Sequence, residues 1–289
     1  MSRAANRLGS IAQQPQLERS LTLPGAVAIN MLDMIGVGPF ITLPLLLGAM
    51  GGPQAMLGWI FGALLALADG LVWAELAAMM PEAGGSYRFL REMFPGRVGR
   101  FLAFLFCFQL MFSAPLSVAS GSIGLAQYAG YLWPDLRGHT LHWGRLAAGP
   151  ATAVAVGCVV LVVMLLYRRL ANLRVISYAL WGAVILTILW VLATGIWLGH
   201  WRLVSALPPG AFHLNRAFFA GLAAAMLIAT YDFWGYYNVA FLAGEVRDAS
   251  KNVPRAILIS IGIVAVLYIA MNAALLALVP WQTLLESAI

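Results

Sequence analysis

Seven long apolar segments restrict what this chain can fold into. A helix needs roughly 20 mostly apolar residues to cross the hydrocarbon core of a bilayer, and only helices and closed barrels pair all their backbone polar groups there. The segments cover residues 24–50, 53–80, 97–130, 148–167, 175–198, 215–244 and 254–280. The sequence therefore predicts an all-α integral membrane protein, with a polar tail over residues 1–22 and a transmembrane domain over residues 23–289.

The overall composition indicates the same class of protein. Hydrophobic residues make up 62% of the chain and charged residues 10%, whereas soluble domains average roughly 45–50% and about 25%. The net charge of +6 does not indicate nucleic acid as a partner, because basic residues in short loops beside apolar segments set membrane topology. We expect the lipid bilayer and a small molecule as partners, and no nucleic acid.

The basic residues are distributed unevenly between the two sides of the predicted membrane. Thirteen Lys and Arg residues fall on the side of the N-terminus and four fall on the other side. In membrane proteins the cytoplasmic loops carry the excess of positive charge, and residues 1–22 lack the apolar core of a signal peptide. The sequence therefore predicts a multi-pass protein of the cell (plasma or inner) membrane with a cytoplasmic N-terminus.

The first apolar segment contains the motif MIGVGPFITLP, residues 34–44. Gly and Pro are the least favourable residues inside a helix, and Pro39 also removes a backbone donor. One interpretation is a helix that breaks near Gly36, Gly38 and Pro39. The alternative is a continuous helix with a glycine packing face and a proline kink, as many membrane helices have.

The sixth segment contains IATYDFWGYYNVAFLAGEV, residues 228–246, with Asp232 near its middle and Gly235 among aromatic residues. A carboxylate at that depth is costly unless it faces protein or water. Asp232 is therefore either a buried structural residue, protonated or paired, or part of a second helix break. Paired interruptions of this kind indicate a transporter site, because unwinding frees N–H and C=O groups for the charged ends of a ligand.

Three motifs resemble those of the amino acid–polyamine–organocation (APC) superfamily of transporters. They are GVGPF at 36–40, AELAAMMPEAGGSYRFLRE at 74–92 and AGEVRDASKNVPRAI at 243–257. The resemblance implies the LeuT-type fold, a five-plus-five inverted repeat usually found within twelve helices, with helices one and six broken. This chain is expected to hold the first repeat and the first two helices of the second, with helices eight onward missing. The implied function is secondary active transport of amino acids by alternating access, with no enzymatic activity and no cofactor or metal.

Transferred position by position, the resemblance also implies substrate contacts at both breaks. These residues are Ile35, Gly36, Val37, Gly38, Pro39, Tyr231, Phe233, Trp234 and Gly235. A gating or structural role is expected for Glu75, near the inner end of the second segment, and for Glu245.

Three aspartates lie within the apolar segments. Asp232 departs from the superfamily, whose members mostly have a small or apolar residue there, and Asp33 lies one turn before the first break. Ionisable residues inside a membrane often carry protons or bind charged substrates, so both are candidates for proton or amine handling. Asp69, deep in the second segment, is expected to be a structural hydrogen-bonding residue.

Other functions stay open at this point. The GPF sequence leans towards the polyamine-transporting subgroup, so a polyamine or another organic cation is an alternative substrate, and a non-transporting nutrient sensor on the same fold is a further alternative. An intramembrane aspartyl protease is disfavoured, because the Gly-x-Gly-Asp half of its site does not occur in the sequence. A coupling ion, proton or sodium, is compatible with the sequence but not specified by it. The only lysine, Lys251, lies in a loop, and no feature indicates an oligomeric state.

Overall fold

The computed structural model describes residues 19–138, 141–143, 146–167 and 170–286. Most of these residues are helical. The helices are α1 (Leu23–Met34), α2 (Gly38–Ile41), α3 (Leu43–Met50), α4 (Met56–Met79), α5 (Gly85–Met93), α6 (Gly96–Leu132), α7 (Pro150–Leu166), α8 (Leu170–Leu198), α9 (Arg216–Phe233), α10 (Ala249–Leu278) and α11 (Trp281–Glu286). Short 3₁₀ helices cover Pro53–Ala55, Pro134–Arg137, Trp201–Leu203 and Asn238–Glu245. Most of the predicted tail, residues 1–18, lies outside the described residues.

One small sheet accompanies the helices between α6 and α7. Strands β1 (Leu141–Trp143) and β2 (Leu146–Ala148) pair antiparallel, with Leu141 opposite Ala148. This hairpin is not predictable from the sequence, since its strands are only three residues long and too short to show a periodic pattern.

Among the described residues, five helical stretches are long and apolar enough to cross a bilayer. They are Leu23–Ile41, Pro53–Met79, Gly96–Leu132, Ala179–Leu198 and Ala249–Leu278. Two predicted segments differ from these: 148–167 forms the shorter apolar helix α7, and 215–244 is an α-helix only as far as Phe233. The prediction of an all-α multi-pass membrane protein is confirmed, while the exact set of seven spans stays a prediction.

The first helix is broken, as the glycine and proline pattern predicted. Helix α1 ends at Met34, residues 35–37 are not helical, and α2 begins at Gly38. Pro39 lies in the first turn of α2, where its missing N–H removes no hydrogen bond from the helix. The break therefore covers residues 35–37, just before Gly38, and the alternative of a continuous kinked helix is wrong.

The second break follows α9. That helix ends at Phe233, a turn covers residues 234–237, and a 3₁₀ helix continues from Asn238 to Glu245. Gly235 has a φ of +114°, a conformation that glycine adopts without the steric cost a side chain would add. We call residues 234–237 the second break.

The interior of the fold is formed by helices that approach each other through small residues. A Cβ added to Gly58 of α4 would lie 2.7 Å from the Cβ of Ala225 in α9, and Gly62 faces Ala229 in the same way. Such contacts let membrane helices pack closely without any hydrophobic driving force from water. Helices α1, α4, α9 and α10 form this interior, and they hold the two breaks between them.

Backbone pairing also ties the start of α1 to the end of the sixth segment. The amide of Leu21 donates to the carbonyl of Glu245 at 2.9 Å, and the amide of Arg247 donates to the carbonyl of Leu21 at 2.9 Å. The two broken segments are therefore joined near their ends as well as at their breaks.

Candidate functional site

The two breaks lie against each other. A Cβ added to Gly38 would collide with Oδ1 of Asp232, and a Cβ added to Gly235 would lie 3.0 Å from the carbonyl oxygen of Asp33. Each break thus contributes a glycine that contacts an aspartate residue of the other segment. This adjacency follows from the pairing of α1 with the sixth segment.

Backbone amides are left unpaired at both breaks. Within the described ranges no hydrogen-bond partner is seen for the amides of Val37 and Gly38, or for those of Gly235, Tyr236 and Tyr237. An unpaired backbone donor inside a membrane costs several kcal/mol. These amides are therefore available to a ligand or to water.

Asp232 lies inside the site with one oxygen free. Its side chain is only 7% exposed, and Oδ2 accepts a hydrogen bond from Oγ1 of Thr42 at 2.6 Å. Oδ1 faces Gly38 and receives no donor from the described residues. In that part of the chain, the only ion pair joins Arg88 to Glu82, so no basic side chain neutralises Asp232.

Asp33 lies on the other side of the second break. Its Oδ2 accepts a hydrogen bond from Nδ2 of Asn238, the first residue of the 3₁₀ helix. The side chain of Asp33 is exposed, which leaves it open to water or to a ligand. Both aspartates singled out in the sequence therefore adjoin the breaks.

The predicted aromatic contacts divide into two groups. Tyr231 and Trp234 are 60% and 58% exposed, so their rings are free to contact a ligand. Phe233 is fully buried, where its ring centroid lies 6.0 Å from that of Trp59 and 5.3 Å from that of Tyr268. Phe233 therefore supports the end of α9 from the core, and a substrate reaches it only if this packing opens.

The predicted contacts in the first break also differ in accessibility. Ile35 and Pro39 are buried, Val37 and Gly38 are half-buried and Gly36 is exposed. Val37 additionally contacts α6, because a Cβ added to Gly124 would lie 3.3 Å from its Cγ1. The backbone at Gly36 and Gly38 is therefore the most accessible part of this break.

The two glutamates predicted to act in gating lie away from the breaks. Glu75, in the last two turns of α4, and Glu245, at the end of the 3₁₀ helix, both have exposed side chains. The backbone carbonyl of Glu245 pairs with Leu21, while neither carboxylate forms a hydrogen bond or ion pair within the described residues. A gating or structural role for either side chain stays a prediction.

Sequence reasoning missed a buried asparagine that holds the second break. Asn30 is fully buried, and its Nδ2 donates to the carbonyl of Tyr236 at 2.6 Å and to Oγ of Ser260 at 2.7 Å. Its Oδ1 accepts from the amide of Val239 at 3.2 Å. The available signal was an amide side chain within an apolar segment, because such a group needs partners inside the membrane.

A buried tyrosine supports the first break in the same manner. The hydroxyl of Tyr268 in α10 donates to the carbonyl of Met34, the last residue of α1, at 2.8 Å. This bond satisfies one carbonyl that the break releases. Its sequence signal was weak, because a tyrosine in an apolar helix is common and its partner lies 234 residues away.

Comparisons with known proteins give a consistent result. A family model described as amino acid permease matches residues 21–289. The serine/threonine exchanger SteT of Bacillus subtilis is 27% identical over 268 residues, which cover 90% of this chain and 55% of that protein. The chloroplastic cationic amino acid transporter 7 of Arabidopsis thaliana is 27% identical over 282 residues, 92% of this chain and 46% of that one.

A mammalian transporter is similar to the same extent. The Asc-type amino acid transporter 1 of Mus musculus is 26% identical over 283 residues, which cover 96% of this chain and 51% of that protein. The chain thus spans about half the length of the curated relatives it matches. The resemblance noted in the motifs is confirmed by these matches.

Proposed function

Because this chain belongs to the amino acid permease family, we propose that it acts in secondary active transport of amino acids by alternating access. The observation that carries the proposal is the contact between two helix breaks that leave backbone amides unpaired. Transporters bind substrates at such discontinuous helices near the bilayer midplane. The names of the relatives, which describe exchange or transport of amino acids, support the same substrate class.

The proposed site binds the two charged ends of an amino acid separately. The unpaired amides of Val37 and Gly38 are suitable donors for a carboxylate, as backbone N–H groups at helix starts often are. The free Oδ1 of Asp232 is a suitable acceptor for an ammonium group, since charge-assisted hydrogen bonds are the stronger ones. Tyr231 and Trp234, with their exposed rings, are positioned to cover the substrate.

We place this transporter in the cell membrane with its N-terminus in the cytoplasm. The uneven distribution of Lys and Arg between alternate loops supports this orientation, because positive charge accumulates on the cytoplasmic side. Glu75 and Glu245, at the ends of α4 and of the 3₁₀ helix, are then placed near the cytoplasmic surface, where inward opening would occur.

A polyamine or another organic cation is the second candidate substrate. The observation that favours it is the pair of aspartates beside the breaks, Asp33 and Asp232, with no basic side chain bonded to either in the described residues. Two carboxylates suit a substrate with two amines better than one with a carboxylate, because like charges near each other repel.

The test is a ligand screen followed by a transport assay. Amino acids and polyamines are screened by thermal shift on the purified protein, and the best ligand is used for counterflow in proteoliposomes. The proposal predicts stabilisation by at least one amino acid and its saturable exchange across the membrane. Stabilisation without exchange would indicate a nutrient sensor, and stabilisation by polyamines alone would select the second candidate.

A further inference from the structure

Asp69 is a carboxylate that the proposed substrate site does not use. It is the fourteenth residue of the 24-residue helix α4, so it lies near the middle of a helix that is long and apolar enough to cross a bilayer. No basic side chain pairs with it in the part of the chain that the structure describes. An ionisable side chain at this depth is expensive and usually belongs to an ion pathway or a proton relay.

The two oxygens of Asp69 have different surroundings. Oδ2 accepts hydrogen bonds from the hydroxyl of Tyr236 and from Nε1 of Trp73, the latter at 2.8 Å. Oδ1 receives no donor from the described residues, and the side chain is exposed. One oxygen is therefore held by two donors while the other is free to take a proton.

The neighbours of Asp69 supply no countercharge. Its bonded neighbours are Tyr236 and Trp73. The ring of Trp73 in turn stacks on that of Tyr237 and lies beside Phe89 of α5. The adjacent Gly70 packs against Ile257 and Ile261 of α10. Among the described residues no group of three His, Cys, Asp or Glu side chains is arranged to hold a metal ion.

Tyr236 connects Asp69 to the substrate site. Its hydroxyl donates to Asp69 of α4, while its carbonyl accepts from Asn30 of α1 at 2.6 Å. Tyr236 lies beside Gly235 in the second break, and its own amide is unpaired in the described chain. A change in the charge of Asp69 thus acts directly on the backbone that lines the site.

We propose that Asp69 is the proton-binding residue that couples transport to a proton gradient. The proposal rests on the proposed transport function. The step adds one proton to the free Oδ1 and converts the carboxylate to a carboxylic acid. Hydrogen bonds to a neutral acceptor are weaker than those to a carboxylate, so proton binding loosens the attachment of Tyr236 to α4 while its bond to Asn30 persists.

The experiment compares two assays on the same proteoliposomes. Counterflow without a pH gradient measures exchange, and uptake with an acidic exterior measures accumulation driven by protons. The variant is Asp69→Asn, and the matched control is Asp135→Asn, a carboxylate in the 3₁₀ turn after α6. We expect Asp69→Asn to keep counterflow within about twofold of the parent and to lose gradient-driven accumulation entirely, while Asp135→Asn keeps both.

The remaining outcomes separate this proposal from the function itself. Absence of counterflow in the parent protein would contradict the transport function. Counterflow without any response to the pH gradient would overturn the proton site and leave transport intact. Undiminished accumulation by Asp69→Asn, or loss of its counterflow with ligand stabilisation retained, would also overturn the proposal.

If Asp69→Asn does not fold, a second variant tests the hydrogen bond between Tyr236 and Asp69. Tyr236→Phe removes the hydroxyl that bonds to Asp69, so proton binding has no bond left to loosen. We expect uptake by this variant to lose its dependence on the pH of the exterior. Uptake with the parent's pH dependence would overturn the role of the bond between Tyr236 and Asp69.

Discussion

Gly38 is the residue at which the two broken helices come closest. Even a single carbon atom added there would collide with Oδ1 of Asp232, so the position requires the absence of a side chain rather than a left-handed conformation. The resemblance implied only that Gly38 contacts the substrate. The structure adds that the carboxylate of Asp232 already occupies the adjacent space.

Substitution of Gly38 should remove transport before it removes folding. We expect Gly38→Ala to reduce uptake at least tenfold, and Gly38→Leu to abolish it, because either side chain displaces Asp232 from the first break. Gly262→Ala is the matched control, since a Cβ on that helical glycine meets nothing within 4 Å. Uptake by Gly38→Leu at the parent's affinity would show that the site in the first helix is misplaced.

Asp232 is expected to contribute to affinity through its charge. Asp232→Asn keeps an oxygen that can accept from Thr42 and changes the volume little. If the carboxylate binds an amine, the affinity for a diamine or a basic amino acid should fall by about 1.5–3 kcal/mol, the range for a hydrogen bond to a charged group. Isothermal titration of the purified variant measures this loss. Unchanged binding together with unchanged pH dependence of uptake would leave Asp232 as a structural residue.

At the scale of elements, the irregular segments are held by side chains from the helices around them. Tyr268 of α10 satisfies the last carbonyl of α1, and Asn30 of α1 satisfies a carbonyl and an amide of the second broken segment. These bonds replace the helical hydrogen bonds that the breaks remove. The breaks are thus ordered features of the fold.

Truncating the side chain of Asn30 should destabilise the protein more than truncating that of its partner Ser260. Asn30→Ala leaves the carbonyl of Tyr236 and the amide of Val239 unpaired, at a cost of roughly 1–3 kcal/mol for each buried group. Ser260→Ala removes one bond to Asn30 and one to the carbonyl of Ile257, the residue three positions before it in the same helix, and should cost about 0.5–1.5 kcal/mol. Thermal unfolding in detergent should give a lower midpoint for Asn30→Ala. Equal midpoints would contradict the role of Asn30 in holding the second break.

The sequence predicted the breaks well and their partners poorly, for a physical reason. Gly36, Gly38 and Pro39 act on the backbone of their own segment, so their effect can be read from local helix propensity. Asn30 and Tyr236 are separated by 206 residues, and their bond depends on how the helices pack. Phe233 shows the same limit, because nothing in its local sequence distinguishes a ring in the core from a ring that faces a ligand.

Across the whole molecule, the polar contacts concentrate between four elements. The broken first segment, helices α4 and α10 and the broken sixth segment share the bonds of Asn30, Asp69, Asp232 and Tyr268. Helix α6, in contrast, presents large exposed apolar side chains over most of its length. The hydrogen bonds of these four polar side chains thus lie beside the breaks, whereas the exposed surface of α6 is largely apolar.

Cysteine accessibility can show whether the two breaks form a ligand site that water reaches at membrane depth. Cys107 and Cys158 are first replaced by alanine, and Trp234→Cys is then introduced into this background. The control is Leu64→Cys in the same background, because Leu64 lies on an exposed apolar face of α4. A membrane-impermeant thiol reagent is applied to proteoliposomes with and without the best amino acid from the screen. We expect the cysteine at 234 to be labelled and the amino acid to protect it at least fivefold, while the cysteine at 64 stays unlabelled. A cysteine at 234 that is never labelled, or is labelled equally with and without the amino acid, would show that the breaks do not form a ligand site open to water.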